Sequence, residues 1–205
     1  MSLVIVLSLF GINKPYYYNQ HIHNFGNIGF LGRIHAELAP HVTKFIDNKC
    51  YDGRDIRQEI LLPYKNKRVL DLCCGTGMST MNIGVGIDTS HEMLKVARRN
   101  NKNAMFYFGN AENYNPNYEV DIVTCMFSFH EMPSYAHKNI IENAINIANK
   151  NVIIVDISPT YKPSKTMLSG EPYILDYLSN IQNELSGFEE NEYIKNHVTV
   201  WKLYK

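Results

Sequence analysis

The sequence predicts an α/β fold: a mostly parallel seven-stranded sheet with helices on both faces, an antiparallel C-terminal strand and a helical N-terminal leader. Three observations carry this expectation. From residue 68 onward, short apolar runs alternate with segments of helical periodicity. One strand runs into the glycine turn Cys74-Gly75-Thr76-Gly77, and the next ends in the acid of Gly86-Ile87-Asp88. The chain closes on two strand-like segments between Glu192 and Tyr204. Alternating strands and helices build parallel sheets covered on both sides, and a terminal strand pair adds an antiparallel edge.

Residues 1–66 hold no strong strand pattern and read as a leader packed on a core of residues 67–205, one structural domain overall. Leu3 to Phe10 is apolar but too short to span a bilayer, and it lacks the basic start of a signal peptide. An arm packing on the body is expected there, with membrane attachment or targeting as the alternative. Arg33 to Asp47 reads as a helix that Pro40 should break or restart, with Leu38, Val42, Phe45 and Ile46 on one face. Asp55 to Leu62 is a second short helix, stopped by Pro63.

The strands follow in order: Arg68 to Cys73, Val85 to Asp88, Ala104 to Phe108 and Val120 to Phe127. Thr89 and Glu92 have capping-box spacing and open a helix through Met93, Leu94 and Ala97. Ile141, Ala144, Ile145 and Ala148 share a helical face between Tyr135 and Asn149. Val152 to Ile157 is continuously apolar except for Asp156, as expected of a strand covered on both faces. Ile174, Tyr177, Leu178, Ile181 and Leu185 mark a last helix, and the tail turns near Asn196-His197.

Composition narrows the function. An apolar fraction of 45% over 205 residues supports a full-sized globular core. Lys+Arg 20 balances Asp+Glu 20, so no basic field attracts duplex nucleic acid or an anionic membrane. A small-molecule partner fits better; the oligomeric state is left open. Cys50, Cys73, Cys74 and Cys125 form no CxxC pair, which favours a reducing, cytoplasmic setting and argues against zinc. His21, His23 and His35 in the leader lack an accompanying carboxylate pattern, so no metal site is expected.

The glycine turn invites a nucleoside ligand, because glycines let backbone approach it and an acid after the next strand can receive ribose hydroxyls. A dinucleotide fingerprint requires a third glycine, and Gly75-Thr76-Gly77-Met78-Ser79-Thr80 has a threonine there. The Walker pattern is also absent. The segment Val69-Leu70-Asp71-Leu72-Cys73-Cys74-Gly75-Thr76-Gly77 resembles the first motif of class I S-adenosylmethionine-dependent methyltransferases. The resemblance continues in order through Gly86-Ile87-Asp88-Thr89-Ser90, Gly109-Asn110-Ala111-Glu112, Phe127-Ser128-Phe129-His130-Glu131-Met132-Pro133 and Ile154-Val155-Asp156.

That resemblance implies a Rossmann-like methyltransferase fold, an enzyme, and S-adenosyl-L-methionine as cofactor, with S-adenosyl-L-homocysteine as product. It implies that Gly75 and Gly77 turn the backbone under the methionine moiety and that Asp71 orients the loop and the amino group. It gives Asp88 the ribose hydroxyls and Asn110 the adenine amine, although an Asx-turn is an equal role for Asn110. Ala111 would offer its N–H to the adenine ring. Cys73, Thr76, Thr89, Glu112, Met126 and Phe127 would complete the cofactor's surroundings.

The Asn/Asp-Pro-Pro-Tyr signature of amino-methylating enzymes acting on adenine or glutamine is absent, as is the Pro-Cys nucleophile of cytosine-C5 enzymes. The remaining similarity is to methyltransferases of small molecules. His130, with Glu131 beside it, is the candidate general base or acceptor-positioning group; a histidine that caps a helix or lines the pocket passively is the competing role. Tyr16, Tyr17, Tyr18 and Phe25 could form an aromatic lid, with Gly26, Gly29 and Gly32 as hinges. Ser169-Gly170-Glu171-Pro172-Tyr173 resembles the acceptor-side insert of some plastid and algal members. A cofactor-binding partner subunit without its own turnover is the alternative function.

The pattern departs from the family in one place. Residues 78–84 leave too little chain for the usual long helix after the first strand, so the leader helices are expected to cover that face.

Overall fold

Seven segments, all apolar in character except the polar β6, become strands in the computed structural model, which describes residues 15–205: β1 Val69–Leu72, β2 Val85–Asp88, β3 Met105–Phe108, β4 Val120–Met126, β5 Ala148–Ile157, β6 Glu189–Ile194 and β7 Val198–Tyr204. They form one sheet in the order β3-β2-β1-β4-β5-β7-β6. β1 pairs parallel with β2 and β4, and β4 pairs parallel with β5. β7 is antiparallel to both β5 and β6, so it alone runs against the rest. The expected fold class is the one observed. The apolar segment Leu3 to Phe10 lies outside the described residues.

Among the described residues six α-helices accompany the strands: α1 Gly29–Cys50, α2 Ile56–Leu61, α3 His91–Asn100, α4 Ser134–Ile147, α5 Lys165–Gly170 and α6 Ile174–Glu184. Side chains alternate across each strand, so the central strands supply two cores. Leu70, Leu72, Val123, Cys125, Val152 and Ile154 face Ile140 and Ala144 of α4 and Tyr177 and Ile181 of α6. Val69, Ile122, Ile153, Val155 and Val200 face Tyr51 and the α2 residues Ile56, Ile60 and Leu61. The second core therefore rests on the leader.

This placement resolves the short connection after β1. Residues 78–84 form turns and bends with no helix, so their carbonyls lack intrahelical donors. Side-chain amides take over that role. Gln58 Nε2 donates to the Met78 carbonyl at 3.0 Å and reaches the Thr80 carbonyl at 3.5 Å. Asn100 Nδ2 donates to Thr76 O, and Asn101 Nδ2 to Thr80 O and Met81 O. Gln58→Ala is expected to destabilise the fold by about 1 kcal/mol in a denaturant titration, the usual net worth of such bonds.

Three local expectations need correction. Pro40 does not break α1, which runs unbroken from Gly29 to Cys50. The proline removes one i→i−4 bond; Ala36, packed with Met93 and Val96 of α3, holds the helix before the gap, and Ile46 against the second core and the Asp47–Arg57 pair hold it after. The cap of α3 is Ser90, not Thr89: Ser90 Oγ accepts the Met93 N–H at 3.2 Å. Asp88 Oδ1 accepts the Ser90 N–H at 2.8 Å, which commits the turn one residue later than the capping-box spacing implied. α4 ends at Ile147 and β5 begins at Ala148, earlier than its apolar run. Lys205 Nζ donates to the carbonyls of Ile145 and Ala148 at this junction, both at 2.7 Å.

Candidate active site

At the carboxyl ends of β1, β2, β4 and β5, roofed by the leader, lies a cavity of about 720 Å³. Open parallel sheets carry ligands in this position, and the volume falls in the roughly 300–1,000 Å³ range of small-molecule sites.

Its floor is the turn after β1. Cys73, Gly75 and Gly77 all have positive φ, at 56°, 50° and 77°. Two of these positions need glycine for different reasons. A Cβ on Gly75 would meet nothing within 4 Å, because that side opens onto the cavity. A Cβ on Gly77 would sit 2.8 Å from Phe106 Cζ and 3.1 Å from Ala97 Cβ, so Gly77 serves close packing against α3 and β3. Asp88, the last residue of β2, lines the cavity and pins the turn: Gly75 N–H donates to its Oδ2 at 2.9 Å. Burial pushes the Asp88 carboxyl up to about 6, although the N–H groups of Ser90 and Gly75 pull the other way.

Asp71 lies beneath this floor and does not line the cavity. Its Oδ2 accepts from Ser79 Oγ at 2.8 Å and Thr80 Oγ1 at 2.7 Å, and its Oδ1 from Thr124 Oγ1 at 3.0 Å. It therefore ties the short post-β1 turn to β4 and reaches a ligand only through that turn. Gly77 and Glu112 are likewise absent from the lining. Glu112 instead accepts from Asn139 Nδ2 of α4 at 2.8 Å.

The remaining expected positions, Cys73, Gly75, Thr76, Asp88, Thr89, Asn110, Ala111, Met126, Phe127, His130 and Glu131, do share the cavity wall. Asn110 forms the Asx-turn: its Oδ1 accepts the Glu112 N–H at 2.9 Å. An amide oxygen has a second lone pair, so this bond leaves acceptor capacity at the cavity. Tyr16 and Tyr17 border the same region, and Tyr16, like Cys73 and Tyr114, packs against the first core. Burial drives the Tyr16 hydroxyl well above the usual phenol range, which keeps it neutral.

His130 differs from the neutral base that sequence alone evokes. Asp156, at the end of β5 and fully buried, accepts from His130 Nδ1 at 2.6 Å. It also accepts the Phe129 N–H at 2.8 Å and the Ile157 N–H at 2.7 Å. Burial works against a charged imidazole, but Asp156 and, more weakly, Glu131 and Glu171 outweigh it and raise His130 to about 9. At neutral pH it is an imidazolium: a donor, with no lone pair free to take a proton.

A third group was not legible in the sequence. His23 of the leader bridges two carboxylates, with Nε2 2.8 Å from Glu131 Oε1 and Nδ1 2.6 Å from Glu171 Oε1. Burial disfavours its charge, but the two glutamates raise it well above the ordinary histidine value. Asn19 Nδ2 donates to Tyr173 OH at 3.2 Å nearby, and a Cβ on Gly170 would approach Asn24 Nδ2 to 2.9 Å. The leader is thus strapped across the cavity onto the segment after α5. Among the described residues, no group of three or more His, Cys, Asp or Glu is arranged to hold a metal ion.

The other half of the wall comes from α1 and from the strand ends. Leu38, Val42 and Ile46 of α1 line the cavity, as do Phe127 and Tyr161. Arg57 lies 4.5 Å over the Phe127 ring and pairs with Asp47 at 2.8 Å. Of the face read from periodicity, Leu38, Val42 and Ile46 line the cavity and Ile46 also packs against the second core, whereas Phe45 is exposed and does not join them.

Comparison with known proteins agrees with this anatomy. Residues 69–151 match the family model described as a methyltransferase domain. Over 70 residues the chain is 34% identical to the dTDP-3-amino-3,6-dideoxy-alpha-D-glucopyranose N,N-dimethyltransferase of Streptomyces fradiae, a match that covers 31% of this chain and 28% of that protein. Solved structures share the fold at low identity. The plantazolicin methyltransferase BamL superposes with a TM-score of 0.59 at 17% identity, covering 84% of this chain and 95% of BamL. The magnesium protoporphyrin IX methyltransferase of Synechocystis PCC 6803 gives 0.52 at 13% identity, covering 88% and 89%.

Proposed function

We propose that this chain, whose residues 69–151 match the methyltransferase-domain family model, is a class I S-adenosylmethionine-dependent methyltransferase that binds S-adenosyl-L-methionine at the glycine turn and methylates a small molecule held beneath the leader. One observation carries the reading: the Asp88 carboxylate sits at the cavity edge, braced by Gly75 and Ser90 N–H groups, beside the open side of Gly75. A nucleoside with free ribose hydroxyls fits that acid, and the open glycine leaves room for its substituent. Asn110 and Ala111 would border the adenine, with Tyr16 and Tyr17 closing over it. The cofactor, when bound, supplies an electrophilic methyl group for in-line displacement.

The protein's own task is then alignment and exclusion of water. The leader strap shuts the cavity through His23, and Leu38, Val42 and Ile46 of α1 with Phe127 and Tyr161 give the acceptor an apolar wall. His130, held by Asp156 as an imidazolium, offers its remaining N–H to the reactants as a fixed donor and positions them. The Streptomyces relative is named for an amino sugar and the structural neighbours for other small molecules, which supports an acceptor of that size. All four cysteines are free, which suits a cytoplasmic setting, and among the described residues no helix is long and apolar enough to cross a membrane.

The test is transfer itself. Purified protein incubated with methyl-labelled cofactor and the small-molecule fraction of a cell extract should label at least one compound, and Asp88→Ala should abolish that labelling. Cofactor binding without transfer to any fraction would overturn the enzymatic reading.

A further inference from the structure

Among the described residues, Glu171 is the one buried carboxylate at the cavity whose bonding is incomplete. It follows α5, its side chain is 6% exposed, and it lines the wall that the leader closes. Oε1 is taken by His23, whereas Oε2 has no hydrogen-bond partner. A carboxylate oxygen withdrawn from water with nothing to accept from is costly, and native structures rarely tolerate one without a purpose.

The surrounding charges point the same way. Glu171 is faced by His23 from the leader and by His130 and Glu131 from the segment after β4. Asp156 of β5 backs His130, while burial and the neighbouring His23 keep His35 below the ordinary histidine value and so neutral. With every carboxylate ionised, two imidazoliums meet three carboxylates, and the cluster is one cation short. The Glu171 carboxyl is raised accordingly, chiefly by burial and next by Glu131, against the pull of His23. A neutral hydroxyl would satisfy the orphan oxygen but leave the charge. A protonated amine satisfies both.

We propose that Glu171 receives a protonated amine of the methyl acceptor through Oε2, so that the substrate class is an amine on an apolar frame, with Glu171 as a specificity-determining residue. The apolar frame would lie along Leu38, Val42 and Ile46. This inference rests on the methyltransferase reading above.

The experiment uses the full chain saturated with S-adenosylhomocysteine and titrated with paired probes: 2-phenylethylamine against 2-phenylethanol, and cyclohexylmethylamine against cyclohexylmethanol. At least one amine should bind roughly tenfold or more tightly than its alcohol, as a desolvated charge pair requires. Glu171→Gln should bring that pair to within about twofold, and Glu171→Asp should restore part of the preference. Affinity for S-adenosylhomocysteine should stay within about twofold in both variants, which also shows that they fold. Equal binding of amines and alcohols by the wild type, or no binding of any probe, would overturn the proposal. So would a loss of S-adenosylhomocysteine affinity in Glu171→Gln as large as the loss of amine affinity, since Glu171 would then serve the cofactor's own cations. Failure of S-adenosylhomocysteine to bind the wild type would instead count against the methyltransferase reading.

Discussion

Replacing Asp88 with alanine is expected to weaken binding of S-adenosylhomocysteine about 100-fold or more, the equivalent of two charge-assisted hydrogen bonds to ribose hydroxyls. The same carboxylate holds Gly75 and Ser90, so the turn also loses its anchor. The effect has a pH signature. Burial sets the free protein's Asp88 at about 6, and only the ionised form can accept from two hydroxyls. Ligand binding therefore favours ionisation and releases a proton near pH 6. Affinity should be flat above pH 7 and fall by roughly tenfold for each unit below 6. Calorimetry between pH 5 and 8 reads both quantities. A pH-independent affinity would show that Asp88 makes no such contact.

Asp71→Ala should be the most damaging single change to the fold among the site residues. It strips the acceptor from Ser79, Thr80 and Thr124 in a place with no access to water. A cost of about 3 kcal/mol is expected at pH 5, from three buried donors left unpaired. The penalty should then shrink with rising pH. The folded Asp71 titrates at about 6, above the ordinary carboxyl value, so the folded state holds its proton more tightly than the unfolded chain. Wild-type stability from this group is complete at low pH and is lost as pH rises between the unfolded and folded values. Asp71→Ala escapes that loss, and the gap to wild type should narrow by roughly 1 kcal/mol between pH 5 and 8. Urea unfolding at both pH values measures it; a gap that widens with pH would mean that the native carboxylate is stabilised as an anion.

The core of the fold was readable because its signals are local. The β1, β2 and β4 runs are apolar segments of four to seven residues, and α3 and α4 carry their stripes at helical spacing. The turn after β1 and Asp88 lie 13 residues apart and are joined by a parallel strand pair, so their meeting at one cavity follows from the topology. The expected coverage by the leader also followed from a length: residues 78–84 cannot span the sheet as a helix.

What escaped the sequence is non-local or depends on which face a residue takes. Asp71 belongs to the first motif, yet strand alternation turns it towards Thr124 and away from the cavity. His23 meets Glu131 across 108 residues, and no spacing rule brings them together. The charge of His130 depends on Asp156, which looked from sequence only like the polar end of an apolar strand. Pro40 shows the opposite error, a strong local rule outweighed by packing against α3 and the second core.

The central claim is that this cavity is built for an S-adenosyl nucleoside and not for a dinucleotide. Titration calorimetry of the full chain with S-adenosylhomocysteine and with NAD tests it most directly. S-adenosylhomocysteine should bind one molecule per chain with micromolar or tighter affinity, about −8 kcal/mol or better, and NAD should give no saturable heat. Saturable NAD binding to protein that ignores S-adenosylhomocysteine would contradict the account.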